Sequence, residues 1–91
     1  MATIYIPTPL RPYVDNQDQI EISEGATVGE KLAALSEKYP DIKKNLYDES
    51  GTLRKYINVY INDEDIRYLD GADSAAKDSD TISIIPAIAG G

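Results

Sequence analysis

The chain has 91 residues, 42% of them hydrophobic, and a formal net charge of −7. A chain this short forms one domain that buries about 60 to 65% of its unfolded surface, with enough apolar side chains for a single core and too many for intrinsic disorder. Cysteine and histidine are both absent, which excludes a disulfide framework, the usual zinc sites and the usual nucleophile and general-base pairs, while the acidity disfavours nucleic acid and anionic membranes as partners.

Met1-Ala2-Thr3-Ile4-Tyr5 lacks a basic stretch followed by a long apolar run, and no segment approaches the roughly 18 apolar residues of a spanning helix. The expected location is the cytoplasm. Pro and Gly are scattered as single turn markers, with no repeat and no linker. The expected organisation is one domain, 1–86, followed by a flexible tail, 87–91.

Thr3 to Ile6 alternates polar and apolar residues and stops at Pro7, and Gln19 to Ser23 repeats the pattern after a loop rich in Pro, Asp and Asn. These two segments predict an opening β-hairpin. Thr27-Val28-Gly29-Glu30 fits a capping box, so a helix is expected from about Val28. Its apolar stripe is Val28, Leu32, Leu35 and Tyr39, with Glu30, Lys31, Glu37 and Lys38 on other sides and Pro40 as a stop. Asp41 to Tyr47 predicts a further helical turn, with Ile42 and Leu46 four apart, before a polar loop at Asp48-Glu49-Ser50-Gly51.

Tyr56 to Asn62 alternates strictly, placing Ile57, Val59 and Ile61 on one face and Tyr56, Asn58 and Tyr60 on the other. A turn at Asn62-Asp63-Glu64-Asp65 then leads to a short strand at Ile66-Arg67-Tyr68, and Asp70-Gly71 marks another turn. Thr81 to Ile85 is the last strand, closed by Pro86. By pattern alone this is an α+β sheet-and-helix domain. The order of strand, strand, helix, strand, short strand, strand is also the order of the ubiquitin-like β-grasp fold, which has a mixed sheet of four to five strands, the first and last parallel at its centre, and one main helix on one face.

After Pro86 come Ala87-Ile88-Ala89-Gly90-Gly91. Two glycines alone are a weak signal, and in an arbitrary protein they more often mark only a frayed end. Following the last strand of such a domain they carry more weight, and here the sequence resembles the ThiS/MoaD family of sulfur carriers over essentially its whole length. Ile6-Pro7-Thr8 with Leu10-Arg11-Pro12, the run Ile57 to Arg67, and Ile84 to Gly91 are most similar to the carrier branch of thiocarboxylate-dependent cysteine biosynthesis.

The resemblance implies a protein co-substrate rather than an enzyme. An ATP-dependent E1-like adenylyltransferase would adenylate the Gly91 carboxylate, sulfur would replace AMP, and the thiocarboxylate would serve a pyridoxal-phosphate cysteine synthase and a zinc metallopeptidase. ATP, pyridoxal phosphate and zinc would belong to those partners, with no cofactor bound here. Gly90, Ala89, Ile88 and Ala87 would thread a partner's active site, for which residues without Cβ are suited by thinness and conformational range. The carrier would be a monomer that forms transient complexes.

Within the family the small subunit of molybdopterin synthase and the thiamine sulfur carrier stay open, and outside it a protein modifier joined to lysines or an inert interaction module. The outer sheet face, opposite Val59, Ile61, Ile82 and Ile84, is expected to dock the activating enzyme through Tyr5, Tyr60 and Ile85, with Arg67 adding a charge. Asp63, Glu64, Asp65, Asp70 and Asp73 invite a calcium reading, but Arg67 and Tyr68 stand where an oxygen ligand and glycine are needed. The expectation there is a solvated acidic turn and no metal.

Overall fold

A computed structural model describes residues 2–54 and 57–86. The expected Tyr56 and the tail residues Ala87, Ile88, Ala89, Gly90 and Gly91 lie outside these described residues. Five strands form one mixed sheet in the order β2-β1-β5-β3-β4, with β1 at Ala2–Tyr5, β2 at Gln19–Ile22, β3 at Ile57–Ile61, β4 at Glu64–Asp65 and β5 at Thr81–Pro86. β1 and β5 run parallel while β1–β2, β3–β5 and β3–β4 are antiparallel. With helix α1 (Val28–Lys38) packed on one face, this is the ubiquitin-like β-grasp arrangement expected from the sequence.

The connection from β1 to β2 is ordered. Thr8–Val14 forms a 3-10 helix that buries Leu10 and Val14, and Asp15 and Asn16 then adopt left-handed conformations that turn the chain back into β2. Asp and Asn tolerate that region better than other side chains, which accounts for the loop composition.

α1 starts as its capping box predicts. Thr27 Oγ1 accepts from the Glu30 amide at 3.1 Å, and Glu30 Oε1 accepts from the Ala26 amide at 2.7 Å. The return to Ala26 is possible because Gly25 sits at φ 89°, where an added Cβ would come within 2.7 Å of the Glu30 Cβ. Val28, Leu32 and Leu35 are fully buried as expected.

Lys31 departs from the expected polar face: it is 1% exposed. Its ammonium donates to the carbonyls of Ile22 and Ser23 at 3.2 and 3.3 Å. α1 crosses the end of β2 there, and the aliphatic stem of Lys31 fills apolar space while its charged tip meets carbonyls at the end of the strand.

Pro40 both stops α1 and opens α2 (Pro40–Leu46), because a proline lacks only an amide that a first helical turn leaves unbonded anyway. Ile42 and Leu46 close the core from this side.

The stretch after β3 corrects the sequence reading. The turn is only Asn62-Asp63, both at positive φ, so β4 begins at Glu64 and the expected strand Ile66-Arg67-Tyr68 is instead a 3-10 turn, Ile66–Tyr68. The Asp65 carboxylate accepts from the Arg67 amide at 2.9 Å, and this cap turns the backbone out of the ladder. At the other end β5 extends through Pro86, which pairs with Ile57 rather than ending the strand before it.

Candidate functional site

The site begins with β5, whose position follows from its apolar alternation. Ile82 and Ile84 face the core, so Ser83 and Ile85 face the other way. Pairing then sets a row across the outer face: Gln19 on β2, Tyr5 on β1, Ser83 on β5, Tyr60 on β3 and Asp65 on β4. Ile85 lies two residues further along β5, opposite Asn58.

The four residues expected to dock a partner thus fall on or beside one surface. Tyr5 is 46% and Ile85 47% exposed, and Tyr60 is half-buried. Because β5 is antiparallel to β3, it ends with Pro86 at the Ile57 end of the sheet, the end that carries Ile85.

Arg67 is tied into this face by a residue that the sequence reading treated as part of a solvated turn. Asp65 is 7% exposed, and its two carboxylate oxygens accept from Arg67 Nε at 3.1 Å each and from Nη2 at 2.6 Å. The guanidinium side chain stays largely in solvent and lies within electrostatic reach of Tyr60 and Tyr68. Asp65 therefore serves as the base of a fixed positive group at the edge of the face. Its neighbours Asp63 and Glu64 are exposed.

These contacts carry a pH dependence. Hydrogen bonds from the Arg67 side chain and amide hold the Asp65 carboxyl below the usual carboxylate range, against the effect of burial. The Asn62 side chain and the Lys77 amide do the same for Asp80, whose Oδ1 accepts from Asn62 Nδ2 at 2.9 Å. A carboxyl whose pKa is lower folded than unfolded stabilises the fold above its unfolded value, about 3.9, and this stabilisation is lost as pH falls through the folded value. The urea midpoint is accordingly expected to stay level near neutrality and to drop below about pH 4, with a smaller drop in a D65N/D80N double variant. A midpoint independent of pH in that acid range would contradict these roles.

Among the described residues no three carboxylates are placed to hold a metal ion, and no helix is long and apolar enough to cross a membrane.

The sequence model of the ThiS family matches residues 4–91. The chain belongs to the ThiS family. It is 41% identical over 92 residues to the sulfur carrier protein CysO of Mycobacterium tuberculosis, covering 99% of this chain and 98% of the relative. Among solved structures it matches one chain of the Amycolatopsis orientalis BexX/CysO complex with a TM-score of 0.89 and 41% identity, covering 100% of this chain and 100% of that one. The small archaeal modifier protein 1 of Methanosarcina acetivorans matches with a TM-score of 0.89 at 30% identity, covering 99% of this chain and 95% of that one. This ThiS-family chain is thus related over its full length to sulfur carriers, and its fold is shared with a modifier.

Proposed function

We propose that this protein is a sulfur carrier, acting as a protein co-substrate, whose working group is the Gly91 carboxylate. A carboxylate oxygen attacks the α-phosphorus of ATP on an E1-like enzyme and pyrophosphate leaves. A sulfur nucleophile then displaces AMP, leaving a thiocarboxylate. The acceptor of the sulfur is a cysteine synthase of the pyridoxal-phosphate type, with a metallopeptidase releasing the product, in the cytoplasm; ATP, pyridoxal phosphate and zinc act on the partners. The observation that carries this reading is the full-length likeness to CysO, supported by a sequence that runs on from the end of central strand β5 at Pro86 to Gly90-Gly91.

The chemistry asks little of this chain's side chains beyond docking. The outer face supports that role with an aromatic and aliphatic patch of Tyr5, Tyr60 and Ile85 beside the charge of Arg67. Interface energy concentrates in such anchors. Tyr60→Ala is expected to raise KM for the activating enzyme by about tenfold with little change in kcat, while its far-ultraviolet circular dichroism stays that of the parent. An unchanged KM would remove Tyr60 from the docking surface.

The likeness to a small archaeal modifier supports a second reading, in which the same activated Gly91 is joined to lysines of other proteins. Intact-mass analysis of the protein purified from its own host separates the two. Sulfur in place of one oxygen, located on Gly91 by fragmentation, supports the carrier; branched peptides bearing Gly90-Gly91 on a lysine support the modifier. A terminus carrying neither, even after incubation with ATP and an activating enzyme, rejects both.

A further inference from the structure

The sheet ends on β2, and sulfur carriage leaves that edge unused. Among the described residues β2 pairs with β1 alone. The Ile6 amide donates to the Asp18 carbonyl at 2.9 Å, whereas the Thr3 amide donates at 3.2 Å to Asp80, the residue before β5. Along β1, therefore, Ala2, Ile4 and Ile6 bond toward β2, and Thr3 and Tyr5 toward β5. In an antiparallel ladder two opposed residues either exchange their hydrogen bonds or both turn away from each other. Glu21 and Gln19, which lie opposite Thr3 and Tyr5, thus direct their amides and carbonyls away from β1, off the edge of the sheet.

Beside this edge an open groove of about 500 Å³ runs between β2 and α1, with Ile22 and Ala34 among its walls. The Lys31 contacts with the Ile22 and Ser23 carbonyls tie β2 to α1, so the fold sets the spacing of the two walls. Three exposed carboxylates, Glu21, Glu24 and Glu37, line the groove against a single exposed lysine, Lys38, whose ammonium sits 5.9 Å from the centre of the Tyr39 ring. The acidity extends along the chain on both sides of β2: residues 12–30 hold five Asp and Glu and no Lys or Arg. The next cation, Lys31, is buried with its ammonium on backbone carbonyls.

We propose that the β2 edge takes up an extended, basic peptide segment of a partner protein as an added strand. The chemistry of the occupant follows from two observations. Outward-facing amides and carbonyls spaced along a strand edge are met by the backbone of another extended chain, which here pairs with Gln19 and Glu21. Side chains of the added strand alternate between the α1 side, where apolar ones meet Ile22 and Ala34, and the outer face, where Lys or Arg meets Glu21. The excess of carboxylates then selects a basic segment and guides it to this edge. A second copy of β2 would instead bring its own Glu21 and Glu24 against these, an arrangement of like charges that destabilises the pairing. The added strand lies beyond β2, with β1 and β5 between it and β3, so Tyr60 and Ile85 stay uncovered. The inference does not depend on the chemistry at Gly91.

The test is a titration of isotope-labelled full-length protein with a short synthetic peptide that alternates Val and Lys, followed by amide chemical shifts and hydrogen exchange. Shifts are expected at residues 17–24 and 34–38. The Gln19 and Glu21 amides are expected to exchange about tenfold more slowly once about nine-tenths of the protein is bound, because exchange then runs through the free tenth. The same peptide with an N-methylated backbone keeps the charges but loses the donors, and it is expected to bind about tenfold more weakly. So is the parent peptide to an E21K/E24K variant. Both substituted glutamates are exposed, and an unchanged shift pattern away from β2 verifies the variant's fold. No shifts, shifts centred on Tyr60 and Ile85, or equal binding of the N-methylated peptide or of one with Glu in place of every Lys would each overturn the proposal. Shifts along β2 that appear on concentrating the protein alone would overturn it in favour of a second copy of this chain.

Discussion

Removing Gly90 and Gly91 is expected to abolish thiocarboxylate formation completely while leaving the domain's resistance to urea unchanged. The two halves of this expectation have separate physical grounds. Every residue of the hydrophobic core falls between Ile4 and Ile84, so the deletion takes no described apolar contact from the fold. In the proposed reaction the acyl carbon that receives AMP and then sulfur belongs to Gly91 itself. A shortened chain ends on Ala89, whose carboxylate stops two residues, about 7 Å of extended backbone, short of the position it must reach. Misplacements far smaller than this cost orders of magnitude in rate. Mass analysis after incubation with ATP, sulfide source and activating enzyme checks the first half, and urea unfolding checks the second. Sulfur found on the shortened protein would place the modification elsewhere and sink the proposed role of Gly91. A lowered urea midpoint would give the tail a part in stability.

Ile82→Ala is expected to have the largest effect on folding. Ile82 is fully buried on β5 and is paired with Ile4 on β1 on one side and Ile61 on β3 on the other. It is therefore at the middle of the row that holds the parallel and antiparallel halves of the sheet together, in the same hydrophobic cluster as Leu32 and Leu35 of α1. Truncating a buried Ile costs about 2 to 5 kcal/mol, through lost transfer energy and the cavity that rigid neighbours cannot collapse. A domain of this length has only about 5 to 14 kcal/mol in total. Urea denaturation of parent and variant measures the difference. A loss below about 1 kcal/mol would mean that the sheet closes around the cavity, contrary to a central place for β5.

The sequence reading succeeded where one physical signal dominated. Strict alternation in Ile57 to Ile61, and alternation from Thr81 to Ile84, admit one assignment of faces, because a strand with one buried side cannot shift by a residue without inverting every side chain. The start of α1 was legible for a similar reason, since Thr27 and Glu30 satisfy donors that a helix must leave open. It failed where two signals competed. Ile66-Arg67-Tyr68 has strand-like composition, but the Asp65 side chain offers the backbone a local partner and the chain coils instead. Lys31 and Asp65 were both placed in solvent because charged residues usually are. Each is buried because the fold supplies what a charge needs there: carbonyls at the end of β2 for Lys31 and a guanidinium for Asp65.

What the sequence determined by itself was the class of fold, the inward and outward faces of its long strands, the helix start, and a family likeness on which the proposed role of Gly91 rests. All of these are written in short-range patterns or in direct similarity along the chain. Tertiary structure alone decided that Tyr5, Ser83, Tyr60 and Asp65 form one row and that Arg67 is fixed to its edge. Those facts depend on which strands become neighbours, and contacts between residues dozens of positions apart leave no periodic trace in the sequence.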